Sequence, residues 1–211
     1  LDRMFIDTKP SDDVLLDHRV MTKTGSMSAS FDGTKTTLVV PYGYPGELEF
    51  YRMDAPRGDA IPVTKVSDGV YDMVEPGDFR SWDIQAGVPY TFLYEFSNQY
   101  IREQSPTGES AVQEGRLQIR YMSLIYLDTS YLRVEVTPTN NQTFTHVFTA
   151  RVLSDEDNVL GVVPKDTGEF RFPVFAQNDK VKVKLINDKA FPSSVGSMEW
   201  TGFFVGKSER L

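Results

Sequence analysis

The chain has 211 residues, no cysteine, and 22 basic against 30 acidic side chains, for a net charge of −8. That length holds one large β domain or two small ones, and 40% apolar residues are enough to fill the core. The composition excludes disulfides and thiolate metal sites, disfavours affinity for nucleic-acid phosphates or anionic membranes, and contains no apolar run near the roughly 18 residues of a bilayer span.

In chain order, Met4-Phe5-Ile6 reads as a short edge strand or tether, and Lys9-Pro10-Ser11-Asp12-Asp13 as a turn. Val14 to Met21 is expected to be a strand carrying Asp17-His18-Arg19. Thr24 to Ser30, small and polar, is expected to be a loop. Lys35 to Tyr42 and Glu47 to Met53 read as strands separated by the turn Tyr42-Gly43-Tyr44-Pro45-Gly46. Pro62 to Val66 and Val70 to Val74 are short strands around Ser67-Asp68-Gly69. Short strands with Gly/Pro turns at regular spacing are the mark of an all-β sandwich or barrel.

The strongest patterning lies between Gly87 and Pro138. Tyr90, Phe92, Tyr94 and Phe96 alternate with Thr91, Leu93, Glu95 and Ser97. Leu117, Ile119 and Tyr121 fall on one face, with Gln118 and Arg120 on the other. Leu132, Val134 and Val136 do the same against Arg133 and Glu135. Period two is the signature of strands. The expected core therefore includes Tyr90, Phe92, Leu117, Ile119, Val134 and Trp200. Between the first two limbs, Arg102 to Gly115 reads as a polar loop, with room for one helical turn at Glu109 to Gln113 and another at Gln85 to Ala86. Thr143 to Val152, Val159 to Val163, Glu169 to Ala176, Lys180 to Ile186 and Met198 to Val205 complete the strand set. In the last, Met198, Trp200, Gly202 and Phe204 share a face, and Gly202 is expected to leave room beside the indole. The fold class is all-β, an antiparallel sandwich or jelly-roll-like unit with long loops and little or no helix. A domain boundary is placed between 1–80 and 81–211, although the early strands also suit the same sandwich.

The same residues carry a resemblance. Val88-Pro89-Tyr90-Thr91-Phe92, Tyr94-Glu95-Phe96-Ser97, Gly115-Arg116-Leu117-Gln118-Ile119-Arg120, Phe170-Arg171-Phe172-Pro173-Val174, Trp200-Thr201-Gly202-Phe203-Phe204 and the ending Lys207-Ser208 occur in an order and spacing that resembles the C-terminal part of the tail tubular protein B family. These are the nozzle proteins of short-tailed phages of the autographivirus type. The resemblance covers Trp82 to Leu211 well and Leu1 to Arg80 loosely. It implies a structural, non-enzymatic component of the virion tail. In the family this forms a hexameric ring below an adaptor (gatekeeper) ring, helps hold the tail fibres, and lets DNA pass without specific binding. A chain that starts at Leu1 is then expected to be the end of a longer protein.

Catalytic, metal and ligand chemistry each have a simpler alternative. His18 and His146 lack H-x-H or H-x-x-E spacing, so a metal site is not expected. Asp155, Glu156 and Asp157 lack the glycine and distal glutamate of a calcium loop. Glu103, Glu109 and Glu114 are the carboxylates a glycoside hydrolase would use, but acidic loops are ordinary solubilising features. No G-x-S-x-G or phosphate loop is present. The aromatics Tyr90 to Phe96 would suit a sugar platform, which keeps a carbohydrate-binding or wall-degrading module as the competing class. No cofactor is expected. A ring needs two different sticky surfaces. The candidate for one is the long loop, through Arg102, Glu103, Glu109, Gln113 and Glu114, because long loops in compact domains are usually functional or disordered. At low salt, net −8 on identical copies opposes association, so the isolated chain is expected to be largely monomeric.

Overall fold

The computed structural model describes residues 14–54, 58–105, 108–112, 115–150 and 163–206. The expected elements at Leu1 to Thr8 and at 155–158 lie outside them. Among the described residues all regular structure is β-strand, paired antiparallel, so the all-β expectation holds. No described helix is long and apolar enough to cross a membrane. The chain forms two compact units: Leu1–Thr91 with Arg151–Pro164 and Asp188–Pro192, and Phe92–Ala150 with Lys165–Asn187 and Ser193–Leu211.

The first unit has two sheets. One orders β1 (Asp17–Met21), β7 (Ile84–Val88) and β4 (Glu49–Arg52) as β1-β7-β4. The other orders β2 (Ser28–Phe31), β3 (Lys35–Val39), β6 (Val70–Pro76) and β5 (Val63–Ser67) as β2-β3-β6-β5. They share one core, in which Leu38 and Tyr71 meet Phe50, Ile84 and Ala86. Phe50 and Tyr71 touch at 5.0 Å between ring centroids. Two expectations fail here. Ser28–Phe31 is a strand and not loop, because it pairs antiparallel with β3 from Ser28 opposite Val39 to Phe31 opposite Thr36. Gln85-Ala86 is strand and not a helical turn. Sequence hides this strand because a polar glutamine interrupts its otherwise apolar and small residues. Gln85 is fully buried, and its amide donates to the Val14 carbonyl at 3.0 Å.

The second unit is a sandwich. One sheet orders β14 (Asp166–Gln177), β11 (Arg116–Thr129) and β16 (Val195–Val205) as β14-β11-β16. The other orders β13 (Phe144–Thr149), β12 (Tyr131–Pro138), β15 (Val181–Asn187) and β8 (Phe92–Glu95) as β13-β12-β15-β8. A separate hairpin pairs β9 (Arg102–Ser105) with β10 (Gly108–Ala111). The inward residues of β11, β12, β14 and β15 make the core, with Ile119, Met122, Leu124, Leu132 and Val134 fully buried. An aromatic chain runs through it: Tyr126 on Phe148 at 4.4 Å, Phe148 on Phe170 at 5.7 Å, Phe170 on Phe172 at 6.0 Å. His146 stacks on Phe172 at 5.9 Å.

Of the expected core residues, Leu117, Ile119 and Val134 are buried. Trp200 is half-buried and packs against the core from β16. Tyr90 and Phe92 are not core: they are 43% and 47% exposed. The reason is position. Tyr90 lies outside any strand, before β8, and Phe92 is on β8, the outermost strand of its sheet, whose four residues are all exposed. Tyr121 is displaced from the expected face as well. Ile119 pairs with Gly202 but Tyr121 with Thr201, so Arg120 is an extra residue in β11. This β-bulge reverses the alternation, sending Met122 inward and Tyr121 outward.

Candidate subunit interface

The expected loop is the hairpin β9–β10 and the chain around it. Strand and not helical turn covers Glu109 to Ala111, because Glu109 pairs with Gln104 and Ser110 with Glu103. Alternation puts Arg102 and Glu109 on one face and Glu103 on the other. Arg102 Nη1 lies 3.5 Å from Glu109 Oε2, and both side chains are mostly exposed. Such a surface pair contributes about 0–1 kcal/mol. Gln113 and Glu114 lie outside the described residues. The structure thus brings Arg102, Glu103 and Glu109 onto one two-stranded element. A lone hairpin is marginally stable in water. This one is tied at its root, where Ile101 packs on the sandwich core and the Val112 N–H donates to the Ile101 carbonyl at 2.9 Å. A cleft of about 640 Å³ lies there, lined by Tyr100, Arg116, Asn178, Lys180 and Phe204 among others.

The other candidate chemistries are dispersed. His18, at a positive φ of 50°, is exposed, its ring 6.2 Å from that of Tyr42. His146 is on the aromatic chain of the second unit. Among the described residues no group of three metal-ligating side chains comes together. The Asp155 to Asp157 turn lies outside them.

One ionisable contact has a measurable consequence. The Tyr126 hydroxyl donates to Asp166 Oδ2 at 2.7 Å. Burial, and then this bond, push its pKa up from 10.0 to about 12. A group whose folded pKa is raised contributes stability that is fully present below its unfolded pKa and lost as pH rises through the folded one. The alkaline limb between about pH 10 and 12 should therefore be steeper in the parent than in Tyr126→Phe. Chemical denaturation at a series of alkaline pH values reads this; parallel curves for the two proteins would rule out the linkage.

Sequence reasoning missed the outward face of the β14-β11-β16 sheet. Phe175, Phe203 and Val205 are 54%, 60% and 64% exposed, and Ile125 and Leu127 are exposed farther along β11. Arg120 lies over Phe203, Tyr121 and Phe175 at 5.2, 5.9 and 6.0 Å from the ring centroids. Arg171 lies over Tyr121 at 4.3 Å. The RLQIRY run gives no signal of it, because the one-residue slip shows only in the pairing with β16.

The described residues thus form antiparallel sheets, a separate two-stranded hairpin and an arginine–aromatic sheet face. The chain belongs to the bacteriophage nozzle protein family, which it matches over residues 4–211. It is similar to the "Tail tubular protein gp12" of Escherichia phage T7, at 25% identity over 186 residues, which cover 87% of this chain and 22% of that protein. The chain therefore spans about a fifth of the length of the curated relative that it matches.

Proposed function

We propose that this chain is a structural segment of a phage tail nozzle, a ring of subunits through which the genome leaves the virion. The observation that carries this is the family match across nearly the whole chain. The similarity to a tail tubular protein supports it. The physical features are compatible. Net −8 favours a wall that DNA slides past without adhering. Apolar cores in both units supply rigidity without disulfides. In this reading the partners are further copies in a hexameric ring, an adaptor ring and the tail fibres, and no catalytic step is involved. The test is mass spectrometry of purified tails, with antibody labelling of intact virions. Peptides of this chain and label at the tail tip are the expected result. Absence from tails, or release of sugars from peptidoglycan or capsule by the purified chain, would overturn the reading.

A further inference from the structure

Single exposed apolar side chains need no explanation, but a contiguous set along one sheet face does. On the outward face of β14-β11-β16 the cross-strand rows are Val205 with Arg116, Phe203 with Gln118, and Thr201 with Tyr121 and Pro173. The bulges around Arg120 shape this face. β11 has one residue more than β16 there, and β14 in turn places Val174 and Phe175 opposite Arg120. Phe175 takes a φ of +45°, a left-handed conformation that aromatic residues rarely adopt. The strained backbone does not bury the ring, which stays 54% exposed. The left-handed backbone belongs to the bulge opposite Arg120, which turns this ring outward.

Composition indicates the class of that contact. Protein interfaces are enriched in aromatic residues and arginine and depleted in lysine. No carboxylate among the described residues pairs with Arg120 or Arg171; both guanidinium groups rest on aromatic rings. A partner rich in carboxylates would complement them, and by sequence the first unit is the more acidic part of this chain. Residues 1–91 contain 15 acidic and 9 basic side chains.

We propose that the Arg120–Tyr121–Arg171–Phe175–Phe203 face docks the acidic first unit of a second copy of this chain. The contact joins two different surfaces, so it is heterologous and propagates head to tail. It rests on the ring reading and names one of the two surfaces that a ring requires.

Salt dependence separates this docking from general charge repulsion. Repulsion between copies of net −8 is relieved by salt, so association limited by it strengthens as salt rises. Arginine–carboxylate docking weakens instead. Sedimentation velocity of the chain up to about 200 μM, in about 50 mM and about 500 mM NaCl, reads the sign. Against the monomer that net charge alone suggests, the expected result at these high concentrations is self-association at low salt that is at least about tenfold weaker at high salt. Arg120→Glu/Arg171→Glu should be monomeric under both conditions. Mixed with the parent it should shorten the oligomers, because it keeps the acidic surface but lacks the receiving face. If the double variant melts early, Arg171→Gln, on the open face, takes its place with the same expectation in weaker form. Monomer at every concentration, association that strengthens with salt, or unchanged association of the folded variants would overturn the proposal. A chain that is found in purified tails but is monomeric here loses the docking and keeps the nozzle reading. A chain that associates in this way but is absent from tails does the reverse.

Discussion

Phe172→Ala should produce the largest loss of stability of any single truncation in the second unit. Phe172 is 1% exposed, the largest fully buried side chain of that sandwich. It stacks with His146 at 5.9 Å and meets Phe170 at 6.0 Å. Truncating a buried phenylalanine typically costs about 3–5 kcal/mol, through lost transfer energy and the cavity left behind. That is a large share of a total stability of about 5–15 kcal/mol. The melting temperature of the second unit should fall by roughly 10–20 °C. Trp200→Ala is the control. The indole is half-buried, so its removal should cost less, about 1–2 kcal/mol. Calorimetry on both variants decides: a Trp200→Ala loss equal to or above that of Phe172→Ala would show that the core is centred on β16 and not on β14.

Much of this architecture is legible in the sequence because one face of each long strand is wet. Leu117 and Ile119 against Gln118, and Val181, Val183 and Leu185 against their lysines, announce inward faces that the structure then buries. The failures have physical causes. β7 has neighbours on both sides and carries a buried glutamine, so it lacks the alternation that marks a half-wet strand. β8 alternates aromatics as a core strand would, but periodicity cannot tell that a strand will end at a sheet edge. Phe92 is exposed for that reason, and Tyr90 because it lies in the non-strand stretch before β8.

The candidate interface was half legible. The polar stretch after Ile101 stands out by composition, and Arg102, Glu103 and Glu109 do share one projecting element. Its hairpin form was hidden, because Arg-Glu-Gln-Ser and Gly-Glu-Ser-Ala have little strand propensity. The arginine–aromatic face was hidden by one extra residue. Strict alternation puts Tyr121 with Ile119, and only the pairing of Tyr121 with Thr201 shows that the phase shifts at Arg120. A bulge depends on what lies opposite, which the strand's own sequence does not encode.

Gly202 is where that shift should be most sensitive to substitution. The sequence suggested that this glycine makes room for the Trp200 indole; the structure gives another reason. A Cβ at Gly202 would collide with the Gln118 carbonyl oxygen, and would lie 3.1 Å from the Gln118 carbonyl carbon and the Ile119 Cα. These are backbone atoms of the central strand, which cannot rotate away as a side chain does. Gly202→Ala must therefore lift β16 from β11 at the bulge. Overpacking of this kind typically costs about 1–3 kcal/mol, and Gly202→Val should exceed the alanine variant. The displacement has a local readout, because Trp200 pairs with Met122 two residues away and is the only tryptophan in the second unit. Its emission should shift toward that of a more exposed indole, and amide exchange along β16 should accelerate before the remaining strands respond. Gly202→Ala that melts with the parent and leaves β16 exchange unchanged would mean that the strands do not approach this closely, and that the bulge at Arg120 is placed wrongly.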